Sequence, residues 1–461
     1  MTLERPDVLV VGAGTAGAAA AARLAEGGCS VVLADQKPAA EAGAHWVNAI
    51  PGWLFDEAEV ARPRPPERVR DGGTHRSVLA DGHGRVRTTV SADPGLHVDM
   101  GPLTRRLQQR AWDAGVTFLQ GRVVDVEMVE GRPGVVTLAN GSGHTMIRPR
   151  LAVDASGAAA VLRRRVPGLA KACPAPAPTD LCLAAQYQHR ITDRRGAEAF
   201  LEAHQTAPGD SFTKTGVVGG YSILLVSVSE DLSEAGVLSG SIPADGVPSG
   251  QTLVDRFVAR TPWLGPRLGG GQAPIPLGQP YTRLTAPGVA LVGNAANHVY
   301  ALHGSGVGMG LIAARLLADA ATAGDDPGDA LALRRYAHGF LRTYGGRLAA
   351  SDLFRRHSQT LTRDEISTLL GSGMFGGPML AAGLLQTPFT ADPEALCTIA
   401  AGALRHPRQL LDLAPLALCI VPLALRLLRL QAAFDDYPEP ANADAHALDA
   451  FDARLARIRG F

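Results

Sequence analysis

Between Asp7 and Asp35 the chain runs through a short β-rich segment (DVLVV) and a glycine turn, G12-A-G-T-A-G17. An alanine-rich stretch from Ala18 to Glu26 follows, then a second apolar run from Ser30 to Ala34. Strand, turn, helix and strand within about 30 residues make a βαβ unit, whose two strands must lie parallel in one sheet. The turn chemistry narrows the choice further. Gly12 permits the tight turn, Gly14 lets backbone approach a pyrophosphate, and Gly17 lets the helix pack on the strand. The helix N-terminus offers free N–H groups and a partial positive charge to phosphate. Gly12, Gly14, Thr15, Ala16 and Gly17 are therefore predicted to line a dinucleotide pyrophosphate. Asp35, with Gln36 beside it, is placed to accept hydrogen bonds from the adenosine ribose.

With 461 residues the chain can build two or three units with sizeable cores. A formal net charge of +0 and an apolar content of 46% exclude a disordered chain and give no nucleic-acid footprint. Lysine occurs only at Lys37, Lys171 and Lys214, a bias that with abundant Ala, Gly and Pro points to a GC-rich bacterial genome. Cys29, Cys173, Cys182, Cys397 and Cys419 are scattered without metal-ligand spacing and read as reduced thiols of a cytoplasmic protein. No metal site is expected, and no secretory leader is read at the start. The longest apolar run, LAPLALCIVPLALRLLRL, is interrupted by Pro415 and Pro422, and reads as buried or interfacial helix, not a membrane span.

Residues 43–98 are irregular, with hairpins expected around Asp71-Gly72 and Asp81-Gly82. A helix is expected over 99–114, a strand over 116–118, antiparallel β over 122–138, and a strand over 151–153 that ends in DASG. Several β runs fill 181–242, a helix follows at 252–260, and helical patterns return over 306–321 and 329–358. The expected fold is α/β: a parallel-sheet, Rossmann-type domain from discontinuous segments, an antiparallel β substrate domain and a helical C-terminal part. Its expected bounds are 1–173, with 43–98 an inserted region near the substrate; 174–280 for the substrate domain; 281–330 completing the first domain; and 331–461 for the helical part.

The second informative segment is LVGNAANHVYALHGSGVG, residues 291–308. A buried apolar run meets Gly293, passes small residues and opens into a glycine turn, Gly304-Ser305-Gly306, before a helix starting near Val307. Together with the first turn, the helix after Asp99 and the VDASG strand end, it resembles FAD oxidoreductases of the glutathione-reductase-type fold. The closest branch holds para-hydroxybenzoate hydroxylase, geranylgeranyl reductases and flavin-dependent halogenases. The resemblance covers most of residues 1–330.

That resemblance implies FAD as cofactor, with Gly293 and Asn294 beside the ribityl chain or pyrophosphate. Gly304, Ser305, Gly306 and Val307 would bring a helix N-terminus to the flavin pyrimidine edge, where reduced flavin carries negative charge. Asn294 departs from the branch, which usually has Asp; its amide oxygen still accepts a ribityl hydroxyl while a negative charge is lost. Met100 stands where many relatives carry arginine, and Ala301 near a usual proline.

Both regions bordering the ring in the branch carry candidate side chains. His303 is the leading acid–base candidate and His45 the second, since a neutral imidazole there exchanges a proton near pH 7. Trp46, Asn48 and Tyr300 are candidates for contact with substrate, while Trp53 reads as wall or core. Halogenases share a lysine after the first βαβ unit and a mid-chain W-x-W-x-I-P; here no lysine lies between 38 and 170, and WVNAIP sits too early. The expected function is an FAD-dependent monooxygenase acting on an apolar or aromatic small molecule. The alternative is a geranylgeranyl-reductase-like enzyme that reduces C=C bonds of a prenyl or lipid substrate. No second glycine fingerprint marks a stable nicotinamide domain, so transient NAD(P)H or a separate reductase is expected to supply electrons. The C-terminal helices are expected to cover the substrate domain or to contact a partner or membrane surface.

Overall fold

The computed structural model describes residues 2–71, 75–90, 95–141, 143–371, 383–389 and 422–460. At its centre is a six-stranded sheet in the order Thr285–Ala286, Val289–Leu291, Leu151–Asp154, Val8–Val11, Val31–Asp35, Thr117–Gln120. All neighbours are parallel except the edge pair of Thr285–Ala286 with Val289–Leu291. Val8 and Val10 pack under helices, whereas Leu9 and Val11 pack against a second sheet. Both faces are covered, and for that reason the strand reads as an unbroken apolar run without alternation.

The helical layer consists of Thr15–Glu26, flanked by Met100–Asp113 and Val307–Ala321. The opposite layer is a four-stranded sheet, Thr2–Glu4, Gly143–Ile147, Arg132–Asn140 and Arg122–Val129. Helices expected over 99–114, 252–260 and 306–321 appear as Met100–Asp113, Gly250–Val258 and Val307–Ala321. The expected helical run over 329–358 is divided: Ala330–Phe340 and Gly346–Gln359 are α-helical, joined by a π-helical turn, Leu341–Gly345.

A seven-stranded sheet forms the second body, running from Leu264–Pro276 through Leu181–Ile191, Glu234–Ser241, Ser222–Val228 and Ser211–Thr215 to Ser77–Asp81 and Arg87–Val90. Helices Arg194–His204 and Gly250–Val258 cover it through Leu201 and Val254, with Trp263 from the following turn packed in the same cluster. The hairpin at Asp81-Gly82 is present. At Asp71-Gly72 the strands part company: Arg68–Asp71 joins Gly95–Asp99 and Val47–Pro51 in a small sheet, while Ser77–Asp81 joins the large one. The turn signal there is local, but the strand partners are distant in sequence.

Helix Gly346–Gln359 fastens the two bodies together. Buried Arg355 pairs with Asp352 on its own helix and with Asp180 at 2.9 Å, and donates to the Leu277 carbonyl at 2.6 Å. The C-terminal part divides: helix Arg363–Gly371 packs against Ser77–Asp81 and Arg87–Val90 of the large sheet, as expected, whereas the last described segment packs on the first body. Leu430, Phe434, Phe451 and Leu455 are buried in the core that holds the parallel sheet. Tyr437 donates to the Thr282 carbonyl at 2.7 Å, and Thr282 to Asp452 at 2.6 Å. The helix over 422–433 exposes Leu425 yet buries Leu427 and Leu430, so its apolar run is spent largely on the core. Residues 413–421 of the same run, with Cys397 and Cys419, lie outside the described residues. Among the described residues no helix is long and apolar enough to cross a membrane.

Candidate functional site

The glycine turn is held by side chains that arrive from far along the chain. Gly12 has φ +110, and a Cβ there would stand 2.3 Å from the Ala155 carbonyl oxygen of the DASG segment. Only glycine meets both conditions. A Cβ at Gly17 would stand 1.8 Å from the Gly12 carbonyl oxygen, so the helix rests directly on the turn. Asp35 accepts from Ala13 N through Oδ2 at 2.8 Å and from Lys37 N through Oδ1 at 2.9 Å. It therefore braces the turn, and each oxygen keeps a second lone pair for a ribose hydroxyl. Gln36 is exposed beside it. Gln108 completes the brace, donating to the carbonyls of Ala13 and Ala39, both at 2.8 Å.

Gly14 behaves differently from its neighbours. Its φ is −71, and a Cβ would meet nothing closer than the Gly43 Cα at 3.4 Å. The protein does not need glycine there for its own packing; the opening is space left for something else. Helix Thr15–Glu26 begins at this opening with no side-chain cap and no acid in its first turn. Its first N–H groups, at Thr15, Ala16 and Gly17, lack intrahelical acceptors, which is the donor set a phosphate takes.

A second uncapped helix end converges on the first. Helix Val307–Ala321 starts after Gly306, again with no side-chain cap and no acid in its first turn. Cβ atoms at Gly293 and Gly310 would stand 3.3 and 3.2 Å from the Ala16 Cβ, so the two helices meet across small residues. The Asn294 Oδ1 lies 2.9 Å from where a Gly306 Cβ would stand, alongside this helix end. Ser305 is buried and its Oγ has no hydrogen-bond partner. A buried hydroxyl without a partner is costly unless a ligand satisfies it. Arg163, itself buried, donates to the Ala295 carbonyl at 3.0 Å and ties the DASG segment to this turn. Asp154 is wholly buried and accepts from Ser156, Leu162 and Arg163 backbone N–H groups, a clamp and not a proton carrier.

Two donor-rich helix ends, a glycine opening, a ribose-facing acid and an orphaned hydroxyl suit FAD. Gly14, Thr15, Ala16 and Gly17 would hold its pyrophosphate and Asp35 its ribose. Gly293, Asn294, Ser305 and Gly306 would hold the ribityl and ring end.

The turn before the second helix holds the leading acid–base candidate. Gly304, at φ +70, lets the chain fold back so that the Tyr300 backbone N–H donates to the Ser305 carbonyl at 3.0 Å. His303 lies half-buried in that turn, its N–H bonded to the Tyr300 carbonyl at 3.1 Å. Tyr221 and Ile275 of the large sheet face Gly304, and Tyr221 donates to the Ala301 carbonyl at 2.9 Å. Around them Cys182, Ile242, Leu277, Val299 and Ala301 form a buried apolar cluster. Burial pushes the Cys182 thiol up to about 12, so it stands there as a neutral apolar group and not as a nucleophile.

The other predicted residues divide. Strand Val47–Pro51 touches helix Val307–Ala321, and Val47 N donates to Gln186 Oε1 of the large sheet at 2.9 Å. Half-buried Trp46 and Asn48 therefore stand at the junction of the two bodies. His45 is exposed, its Nε2 3.0 Å from the Glu41 carbonyl, which leaves His303 as the histidine in the turn. Tyr300 is buried to 1% exposure, and His298, next to it, is fully buried and stacked on Phe340 at 3.9 Å. Gln186, Tyr221 and Gln108 escaped sequence reading because nothing local distinguishes them. Among the described residues no group of three His, Cys, Asp or Glu side chains could hold a metal ion.

Comparison with known proteins agrees with this geometry. Residues 7–175 match the family model described as Lycopene cyclase protein. The chain is 29% identical over 351 residues to digeranylgeranylglycerophospholipid reductase 1 of Methanopyrus kandleri, covering 72% of this chain and 84% of that one. Among solved structures, a geranylgeranyl bacteriochlorophyll reductase-like protein of Thermoplasma acidophilum superposes with a TM-score of 0.69 at 17% identity, covering 90% of this chain and 100% of that one. PqsL of Pseudomonas aeruginosa, titled a probable FAD-dependent monooxygenase, follows at TM-score 0.54 and 19% identity, covering 80% of this chain and 100% of that one. The fold is that of the FAD-dependent oxidoreductase branch that the motifs resemble, and the chain is an FAD-dependent oxidoreductase. Within that class the findings favour the reductase alternative over the monooxygenase first expected.

Proposed function

We propose that the protein reduces carbon–carbon double bonds of a prenyl or lipid substrate. The observation that carries this reading is the apolar setting of the His303-Gly304 turn, where Tyr221 and Ile275 face Gly304 and the buried cluster of Cys182, Ile242, Leu277, Val299 and Ala301 packs behind them. An isoprenoid chain has no polar group to orient it, so shape and apolar contact must do the work. The similarity to a digeranylgeranylglycerophospholipid reductase over most of both chains supports the same reading.

FAD held by Gly14, Thr15, Ala16, Gly17, Gly293 and Asn294 would supply hydride-transfer chemistry to the double bond. The chain's residues do the rest. The helix end at Gly306 favours the negative charge of the reduced cofactor. The apolar cluster excludes water and aligns the alkene. His303 donates the proton that the second carbon requires, and recovers it from solvent through its half-exposed position. Electrons reach the site from transient NAD(P)H or a reductase partner, in the cytoplasm.

Mass spectrometry of products from a geranylgeranyl substrate tests this. Gains of 2 Da per reduced bond are expected; a gain of 16 Da would mean oxygen insertion and would overturn the reading.

A further inference from the structure

Beside the site stands Arg347, which has no ion-pair partner among the described residues. Arg347 opens helix Gly346–Gln359, directly after the π-helical turn Leu341–Gly345. Such turns are frequent at functional sites. Its guanidinium carbon lies 5.2 Å from the Trp53 ring centroid and 5.1 Å from that of Tyr344. The side chain is half-buried, and its Nε is buried without a hydrogen-bond partner. Glu57, whose charge acts on it, is engaged elsewhere. It accepts the Tyr344 hydroxyl at 2.6 Å and pairs with Arg315 at 3.5 Å.

Arg355, on the same helix, shows the contrast, since burial there comes with two aspartates. Taking a guanidinium partly out of water without a counter-charge is unfavourable. Two aromatic faces offset only part of that. An incoming oxyanion would supply the remainder, through a planar fork suited to phosphate. The location is as telling as the charge. Trp53 follows strand Val47–Pro51, and Tyr300, whose phenol lies within electrostatic reach of Arg347, folds back onto Ser305. Arg347 thus sits between the two segments that border the ring in this branch. Tyr300 and Trp53 are then walls of a head-group site and not of the alkene site.

We infer that Arg347, clamped between Trp53 and Tyr344, anchors the phosphate head of an amphiphilic substrate. The inference rests on the proposed prenyl reduction for the tail alone; the phosphate anchor stands on the arginine. The bound head fixes one end of a flexible chain, and the distance from Arg347 to His303 then selects which double bond is reduced.

The test is calorimetric titration of the FAD-loaded protein with dodecyl phosphate and with dodecanol. Dodecyl phosphate is expected to bind at least about 10-fold tighter, and inorganic phosphate alone to displace it at millimolar concentration. Arg347→Met should erase the preference while leaving dodecanol affinity and flavin content as they were. Should that variant fail to fold, Arg347→Lys keeps the charge but loses the fork, and should cut the preference at least about threefold. Equal wild-type affinity for the two ligands, or a folded variant that keeps the full preference, overturns the inference. Repeating the pair with geranylgeranyl diphosphate and geranylgeraniol separates the two readings. If the alkyl phosphate preference holds but the prenyl tail adds no affinity, the anchor stands and prenyl reduction fails.

Discussion

Replacing Gly14 by valine separates what the fold needs from what the cofactor needs. With φ −71 the backbone already lies where any residue fits, and an added Cβ meets only Gly43 Cα at 3.4 Å. Losing glycine at a helix N-cap costs a few tenths to about 1 kcal/mol. Restricting the unfolded chain returns about 0.4–1 kcal/mol. The apo-protein should therefore unfold within about 1 kcal/mol of wild type. The branched side chain would fill the opening in front of Thr15, Ala16 and Gly17 and push a pyrophosphate off the helix end. Two lost charge-assisted hydrogen bonds, at about 1.5–3 kcal/mol each, make FAD bind about 10²- to 10⁴-fold more weakly. Gly17→Ala is the control: its Cβ falls 1.8 Å from the Gly12 carbonyl oxygen, so it should damage folding itself. Urea unfolding of the apo-proteins and fluorimetric FAD titration read the two quantities separately. A folded Gly14→Val variant that retains full flavin would mean that the pyrophosphate does not lie against Gly14.

Three further outcomes follow from the same geometry. Asn294→Asp places a carboxylate at the end of helix Val307–Ala321, so it should raise stability by about 0.3–1 kcal/mol and lower the flavin potential; an unchanged or higher potential in a redox titration would remove Asn294 from the flavin's side. His303→Ala and His303→Gln should both retain FAD yet slow a proton-coupled step by about 10²- to 10⁴-fold, and wild-type turnover by both across pH 6 to 9 would make the residue structural. Burial pushes His298 down to about 3, so the folded state refuses a proton that the unfolded chain takes up below about 6.5. Its contribution is complete above that pH and falls by about 1.4 kcal/mol per unit as pH drops toward 3. His298→Phe, stacking on Phe340, should therefore lose about 2–3 kcal/mol less than wild type between pH 7 and 4.5 in urea midpoints, and equal losses would contradict the assignment.

What the sequence disclosed was what neighbours in sequence settle together. The glycine spacing, the apolar strand before it and Asp35 after it lie within one βαβ unit, and the structure assembles them as one brace. Asp35 also carries a duty that spacing does not reveal, since it holds Ala13 and Lys37 backbone N–H groups. The second turn was legible for the same reason, down to the glycine that must reverse the chain before Ser305. Contacts made by distant residues were not. Gln186 meets strand Val47–Pro51 across 139 positions, and Arg68–Asp71 finds its partner beyond Asp81. Arg347 looks like any surface arginine of an amphipathic helix until Trp53 is brought against it. His45 and His303 are both histidines in loops that border the flavin in the branch, and only the folded turn tells them apart.

Whether this cofactor cradle faces an alkene is read by anaerobic stopped-flow spectroscopy. The FAD-loaded protein is reduced with dithionite to the endpoint, then mixed without oxygen with a geranylgeranyl lipid. Reoxidation of the flavin, visible as returning absorbance near 450 nm, with product heavier by 2 Da per flavin oxidised, is the predicted result. Flavin that stays reduced until oxygen is admitted, and then yields product heavier by 16 Da, would contradict it.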